Sequence, residues 1–202
     1  MDGVRYVIAL LLVVIFPAGM SMWLVIHPFA SFWRRHKPAV TYSVVLAIAF
    51  AVGGVLYRSR GRLLATDFGF SWLLTVIGVA CFALSVVLEH LYRRQIKVAT
   101  LLGLPEVSAT RASELLTEGI YGQIRHPRYV GLMLEVSGFA LIANYLAGYV
   151  VVVATIPFLW VTVLLEEREL MQRFGDQYAQ YAQRVPRFIP RGRPGGGPSH
   201  RS

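Results

Sequence analysis

Charge is scarce in this chain. Only 15% of its 202 residues are Asp, Glu, Lys or Arg, against about 25% in a typical soluble domain. That is too little solvated surface for an ordinary water-soluble globule. Acid is scarcer still, with 11 Asp and Glu against 20 Lys and Arg. A formal charge of +9 could suit a polyanion, but the basic residues are interleaved with long apolar runs, which excludes a nucleic-acid-binding domain. Cysteine is nearly absent. The one thiol, Cys81, rules out an internal disulfide and, lying inside an apolar run, reads as a packed side chain. No His/Cys cluster has metal-ligand spacing, so no metal is expected.

What is abundant is apolar length. Hydrophobic residues make up 55% of the chain and the mean hydropathy is +0.54. Residues 4–26, 39–57 and 68–92 are each long enough to cross a hydrocarbon core of roughly 30 Å as a helix. Residues 129–165 are apolar apart from Glu135 and Asn144. One helix of that length would span about 55 Å, so the segment predicts a hairpin of two shorter helices. The expected fold is an all-α integral membrane protein with five transmembrane helices, the last two forming the hairpin. Arg5 ahead of the first run resembles a secretory leader. The run continues to Ile26 without a small-residue cleavage site, so it is expected to be a retained span.

Basic residues predict the orientation. With the C-terminus inside, the inner side holds Arg34, Arg35, Lys37, Arg93, Arg94, Lys97, Arg111, Arg125, Arg128 and the seven arginines after Leu165, sixteen of the twenty Lys and Arg. Arg5, Arg58, Arg60 and Arg62 stay outside. The positive-inside rule then gives N-terminus out, with C-terminus and active site facing the cytoplasm. The Arg58–Arg62 cluster opposes this locally.

Three regions follow. Residues 1–92 are a three-span membrane region with little chemistry; Gly53-Gly54 and neighbouring alanines predict close helix contact there, and Glu89 and His90 close the third span. Residues 93–191 hold an inner connector, spans four and five and an amphipathic helix over 166–185, where Leu170, Phe174, Tyr178, Tyr181 and Val185 recur at helical spacing. In the connector, Gly103-Leu104-Pro105 predicts a turn, Ser108–Leu116 a short capped helix, and Gly119 and Gly122 a loop that folds back around Tyr121. Residues 192–202, rich in Gly, Pro, Ser and Arg, predict a disordered tail.

Titratable groups gather at the two inner ends of the predicted hairpin, where they are costly beside lipid and therefore mark a site. Arg125 and His126 open span four at a helix N-terminus, which favours anions. Pro127 suits the first helical turn, and Gly131 permits close approach one turn later. Tyr121 and Tyr129 offer aromatic faces to an adenine or a cation. Glu166-Glu167 end span five at the same level, and carboxylates there suit ribose hydroxyls or an ammonium group. Each residue alone admits a plainer reading, as a positive-inside anchor, a cap or a structural ion pair.

With these residues the chain resembles the integral-membrane methyltransferases of the isoprenylcysteine carboxyl methyltransferase type, related to the phospholipid methyltransferases. The pattern L-x-T-x-G-x-Y-x-x-x-R-H-P-x-Y-x-G runs from Leu115 to Gly131. Glu166-Glu167, Phe174-Gly175 and a Y-x-x-Y-x-x-x-V-P ending from Tyr178 to Pro186 follow it. The resemblance implies that the connector, hairpin and amphipathic helix enclose S-adenosylmethionine. It implies contacts from Leu115, Leu116, Tyr121, His126, Pro127, Arg128, Tyr129, Gly131 and Glu166, with Arg125 and Glu167 in support. It also implies methyl transfer to a lipophilic carboxylate, thiol or amine. Eukaryotic isoprenylcysteine enzymes carry an arginine one turn before the glutamates to hold the substrate carboxylate. Thr162 stands there in this chain, which argues against that acceptor. An amine would need a base, and Glu135 is the intramembrane carboxylate available as a candidate catalytic residue. Two other classes remain: membrane sterol and steroid reductases using NADPH, which share an R-H-P-x-Y-x-G segment but not the glutamate pair, and a non-enzymatic membrane scaffold.

Overall fold

The computed structural model describes residues 2–26, 30–33, 38–94 and 115–190. Among them the secondary structure is helical apart from one isolated bridge between Asp67 and Tyr145. Six longer helices, α1 (Asp2–Ile26), α2 (Pro38–Arg58), α3 (Trp72–Arg93), α4 (Pro127–Ala143), α5 (Leu146–Phe174) and α6 (Asp176–Arg184), are joined by single turns at Ala30–Trp33 and Arg60–Leu63 and a 3-10 turn at Gly119–Gly122. Four of them, α1, α2, α3 and α5, are long and apolar enough to cross a membrane. At 17 residues α4 is shorter, rising about 25 Å.

Local chemistry explains the helix ends. Ser71 caps α3, its hydroxyl accepting from Leu74 N–H. Pro127 occupies the first turn of α4, where its missing N–H costs no hydrogen bond. Asn144 ends α4 in the left-handed region (φ 55°, ψ 47°), a conformation Asn tolerates, and α5 begins two residues later. The predicted hairpin is therefore present. Two expectations need correction. The helix that carries the fifth span does not stop at the glutamates. Helix α5 continues through Glu166-Glu167 to Phe174, and the amphipathic helix is the short α6, split off by Gly175 at φ 50°. No helix breaker stands between Leu165 and Gly175, so helix propensity carries the backbone past the polarity change. The loop around Tyr121 is a 3-10 turn, with Gly119 at φ 56°. The expected turn at Gly103-Leu104-Pro105 and the tail 192–202 lie outside the described residues. So does the expected helix from Ser108, except Leu115 and Leu116, which are non-helical.

Helices α3 and α4 lie backbone to backbone. A Cβ added at Gly78 would sit 2.7 Å from the Gly138 carbonyl oxygen, and one at Gly138 would sit 2.7 Å from that of Gly78. Seven residues along each helix, Gly131 faces Ser85 and Leu88, with first contacts at 3.8 and 3.9 Å. This antiparallel run of small residues lets two helices approach without side chains between them. The Phe82 and Phe139 rings pack alongside, centroids 5.2 Å apart. The contact expected at Gly53-Gly54 is looser: Gly53 lies 3.7 Å from Ala18, while Gly54 faces open space.

One end of the bundle is tied by polar groups. Arg5 is 4% exposed. It donates to the Ala143 carbonyl at 3.1 Å and pairs with Asp67 and Asp2. The Asn144 side chain donates to the Gly69 carbonyl at 2.7 Å and accepts from the Tyr149 hydroxyl at 2.7 Å. The start of α1, the α2–α3 loop and the α4–α5 tip thus share one end, and the first residues of α4 lie at the other.

The α3–α4 contact yields a test. Gly78→Val and Gly138→Val should each cost about 1–3 kcal/mol or more through overpacking against backbone, whereas Gly54→Ala should be near neutral. Thermal unfolding in detergent checks it; equal melting temperatures for all three variants would contradict the packing described.

Candidate active site

At the opposite end, three separate segments converge. Backbone pairing sets the frame: Arg125 N–H donates to the Pro186 carbonyl at 2.9 Å and His126 N–H to the Arg187 carbonyl at 3.1 Å. The Val185-Pro186-Arg187 ending is therefore laid against the start of α4. Helix α6 is held beneath by its apolar face. Tyr178, Tyr181 and Val185 are buried with Leu115, Leu170 and Phe174 around them, and the Tyr181 hydroxyl donates to the Tyr121 carbonyl at 2.7 Å.

Glu167 is the centre of this arrangement. One of its oxygens lies 3.1 Å from His126 Nε2 and 3.2 Å from the Arg125 guanidinium. Arg187 grips both oxygens through Nε at 3.0 and 3.1 Å and a terminal nitrogen at 2.7 Å. Such forked, charge-assisted bonds are the strong ones. Glu166 differs. The His126 Nδ1 is 3.7 Å from its carboxylate, beyond a hydrogen bond. One Glu166 oxygen is buried without a partner. Adjacent residues on a helix point about 100° apart, which is how one glutamate enters the ion cluster while its neighbour stays outside it.

Glu166 is not alone in this. Among the described residues, four buried side-chain atoms lack a hydrogen-bond partner: Glu166 Oε2, Arg125 Nε, the Tyr178 hydroxyl and the Thr41 hydroxyl. The first three belong to this end of the bundle. Glu167, Arg125 and Glu166 all act electrostatically on Tyr178, so the three groups are near neighbours. Burial first, then the Glu167 carboxylate, pushes the Tyr178 phenol well above its ordinary pKa. Burial and Glu166 do the same for Tyr121, and Tyr181 is pushed up to about 12 by burial against the opposing Arg125 charge. All three phenols keep their protons at neutral pH. The vacant set is therefore two donors, Arg125 Nε and Tyr178 Oη, and one acceptor, Glu166. Unsatisfied buried polar groups are costly, and in a native protein such a cluster points to a polar ligand.

Beside this polar cluster lies an apolar cavity. It measures about 340 Å³ and opens between α4 and α5, its walls including Tyr129, Met133, Leu159 and Phe188. The Tyr129 and Phe188 rings stand 5.7 and 6.1 Å from the His126 ring, so the cavity adjoins the ion cluster at His126.

The residues singled out in the sequence divide accordingly. Arg125, His126, Glu166 and Glu167 come together, with Tyr121 and Leu115 held beside them through α6. Pro127 is buried at the start of α4, with Arg128 in the same turn and Leu116 just before the 3-10 turn. Tyr129 turns toward the apolar cavity. Gly131 faces α3 rather than the cluster. Glu135, one turn further on the same side, senses the Glu89 carboxylate of α3 and is absent from the cavity wall. Sequence reasoning missed Arg187 and Tyr178 as site residues. Tyr178 opens the Y-x-x-Y motif itself and Arg187 follows its Val-Pro ending, so the motif was the available signal.

The phospholipid methyltransferase family model matches residues 73–177, just over half of the chain. Protein-S-isoprenylcysteine O-methyltransferase B of Arabidopsis thaliana is 37% identical over 78 residues, covering 38% of this chain and 40% of that protein. Methanethiol S-methyltransferase 1 of Bradyrhizobium diazoefficiens is 39% identical over 72 residues, 35% of this chain and 24% of that protein. Delta(14)-sterol reductase of Mus musculus is 27% identical over 121 residues, 58% of this chain and 29% of that protein. The chain thus spans well under half the length of each of these relatives. No solved structure matches it. The matched segment contains the α3–α4 contact, the His126–Glu167 cluster and the glutamate pair, and the chain belongs to the phospholipid methyltransferase family of membrane methyltransferases.

Proposed function

We propose that this protein is an integral-membrane methyltransferase that takes its methyl group from S-adenosylmethionine and passes it to a lipophilic acceptor. The observation that carries the reading is the trio of unpartnered buried groups, Arg125 Nε, Tyr178 Oη and Glu166 Oε2. Two donors ask for a carboxylate, and one acceptor asks for an ammonium or a ribose hydroxyl. The amino-acid end of S-adenosylmethionine carries both a carboxylate and an ammonium, so the residues present fit the cofactor. Bound there, it supplies a sulfonium methyl group for displacement by an acceptor lone pair. Arg125 and Tyr178 would hold the carboxylate and Glu166 the ammonium or ribose, with Tyr121, Pro127, Arg128 and Leu116 along the same wall. Glu167 and Arg187 keep Arg125 and His126 in position. The rings of Tyr129 and Phe188 exclude water from the junction, which favours displacement over hydrolysis. Glu135 has no assigned role, because its face of α4 is turned to α3. That favours a thiol acceptor over an amine needing a base.

Five spans complete the reading. The 20 residues from Leu146 to Leu165 rise about 30 Å, leaving Glu166 at the far boundary of the bilayer. Helix α4 returns between the same two ends, and its 17 residues lie at the short limit for a span. A nicotinamide-dependent reductase is the second reading, supported by the Delta(14)-sterol reductase alignment; the glutamate pair favours methyl transfer.

Binding in detergent separates the two. Calorimetry should detect S-adenosylmethionine at micromolar affinity; binding of NADPH with none of S-adenosylmethionine or its homocysteine product would replace the methyltransferase reading. Glu166→Ala and His126→Ala should each weaken cofactor binding by roughly ten- to more than a hundredfold, the worth of one charge-assisted hydrogen bond of about 1.5–3 kcal/mol, while Glu135→Gln leaves it unchanged. Glu167→Ala should also lower the melting temperature, because it strands two arginines, and Glu166→Ala should not. The reverse pattern, with Glu135 essential and Glu166 dispensable, would put the site at the wrong depth.

The sixteen-to-four division of basic residues predicts a cytoplasmic C-terminus. In a Cys81→Ala background, a cysteine introduced at Ser199 should resist an impermeant thiol reagent in intact cells and react after lysis. Labelling from outside would invert the topology.

A further inference from the structure

At the Arg5 end of the bundle, arginines stand without acids to match them. Helix α2 contains a 20-residue apolar run, Ala39–Arg58, that rises about 30 Å and so puts Arg58 at the boundary of the hydrocarbon. Beyond it the backbone keeps a helical path through Ser59. The Ser59 N–H donates to the Val55 carbonyl at 3.0 Å, and the Leu63 N–H donates to the Ser59 carbonyl at 3.1 Å. Arg58 and Arg62 therefore lie one turn apart on one face, and both are exposed. Arg60 faces elsewhere. Its guanidinium folds back over the Tyr57 ring at 4.2 Å and donates to the Tyr57 carbonyl at 2.9 Å, which caps the end of α2.

No acid answers the other two. The acids of this end are Asp2 and Asp67, and both are engaged by the buried Arg5. Asp67 also accepts from the Gly69 N–H at 2.8 Å. Among the described residues neither Arg58 nor Arg62 has an ion-pair or hydrogen-bonding side-chain partner. Like charges one helical turn apart repel, and an anion held between them replaces that repulsion with two attractions. Exposed rings surround the pair: Tyr57 is 49% exposed, Phe68 57% and Trp72 70%. Aromatic side chains of this kind settle at the level of lipid headgroups.

We propose that Arg58 and Arg62 form a clamp for the phosphodiester of an anionic glycerophospholipid in the leaflet at the Arg5 end. Guanidinium forks match phosphate oxygens. A zwitterionic headgroup brings its own cation to two guanidiniums and is disfavoured; a net anionic one is not. The clamp lies at the opposite end from the His126 cluster, and α4, which joins those ends, is 17 residues long, about 25 Å. The lipid it holds is therefore a structural ligand and not a methyl acceptor, and the proposal stands apart from the methyltransferase reading. Bound there, the lipid fastens the end of α2, whose last turn makes no hydrogen bond or ion pair to another helix among the described residues.

The full chain in phosphatidylcholine nanodiscs tests this, with phosphatidylglycerol or, as the zwitterionic control, phosphatidylethanolamine added. Melting temperature and native mass spectrometry of retained lipid are the readouts. Phosphatidylglycerol should raise the melting temperature and stay bound, and phosphatidylethanolamine should do neither. The pair Arg58→Gln and Arg62→Gln should weaken retention roughly thirtyfold, about fivefold for each charge removed. It should also abolish the thermal shift while melting like the unsubstituted protein in phosphatidylcholine alone. Arg168→Gln with Arg184→Gln, which removes two exposed arginines at the His126 end, should leave the shift in place. If the Arg58/Arg62 pair fails to insert, the single variants decide, each with about a fivefold loss. Glycerol 3-phosphate, a soluble phosphate ester, should not displace the lipid; displacement would assign the clamp to a free phosphate instead. Equal shifts by the two lipids, an unchanged shift in the Arg58 and Arg62 variants, or an equal loss in the Arg168/Arg184 control would likewise overturn the proposal.

Discussion

The whole His126 end of this protein depends on one carboxylate. Glu167 receives Arg125, His126 and Arg187, and those residues come from the start of α4 and the segment after α6. Without Glu167 nothing would neutralise two arginines set against each other at a membrane boundary. Breaking such a buried pair from one side leaves an uncompensated charge, which costs about 3–5 kcal/mol. Glu167 takes one terminal nitrogen of Arg125 and the Nε2 side of His126, while Arg125 Nε and one Glu166 oxygen have no hydrogen-bond partner. The ion cluster thus adjoins the unsatisfied groups that the proposed cofactor would satisfy. Site and scaffold are one network.

A second constraint makes that network possible. In lipid there is little hydrophobic drive for helices to associate, so close packing and polar contacts must place them. Helix α4 is placed three times over: by the backbone contact of Gly138 with Gly78 along its middle, by Arg5 at its Ala143 end, and by the Glu167 cluster at its His126 end. It is also the shortest of the bundle's long helices and carries the start of the site. Helix α2, by contrast, packs mainly on α1 and contributes no group to either polar knot. The chemistry sits in the half of the molecule where the helices are fixed at both ends.

Much of this was legible in the sequence, for physical reasons that can be named. The hairpin was legible because 37 apolar residues exceed any single span, and because Asn144 is a residue that turns a chain easily. The gathering of Arg125, His126, Glu166 and Glu167 was legible because charges at both ends of an antiparallel hairpin must meet. The resemblance sets Glu166 apart from Glu167 in role, and in the structure the two differ in pairing: Glu167 is held by Arg125, His126 and Arg187, while one Glu166 oxygen has no hydrogen-bond partner. The end of α5 was not. Polarity changes at Leu165, and hydropathy reads that as a boundary, but the backbone responds to propensity, and Glu-Glu-Arg-Glu-Leu-Met-Gln-Arg is a good helical sequence that breaks only at Gly175. The Gly78–Gly138 contact was also illegible. The two glycines lie 60 residues apart and nothing local pairs them, whereas Gly53-Gly54, the more conspicuous motif, makes only an ordinary contact.

The surroundings of the ion cluster and of the apolar cavity differ, and in the proposed reading that difference orders the chemistry. Against the ion cluster packs α6, whose exposed face carries Asp176, Gln177 and Gln180 and whose buried face carries Tyr178 and Tyr181; a charged cofactor would reach this region from water. The apolar cavity is lined by Ile156 and Trp160, both exposed on a helix apolar enough to cross a membrane. Direct displacement at a methyl group needs nucleophile, carbon and leaving sulfur in line. A cofactor and an acceptor approaching from opposite sides would meet end to end where the two regions touch, at the rings of His126, Tyr129 and Phe188. A shared aqueous pocket would instead let water compete for the methyl group.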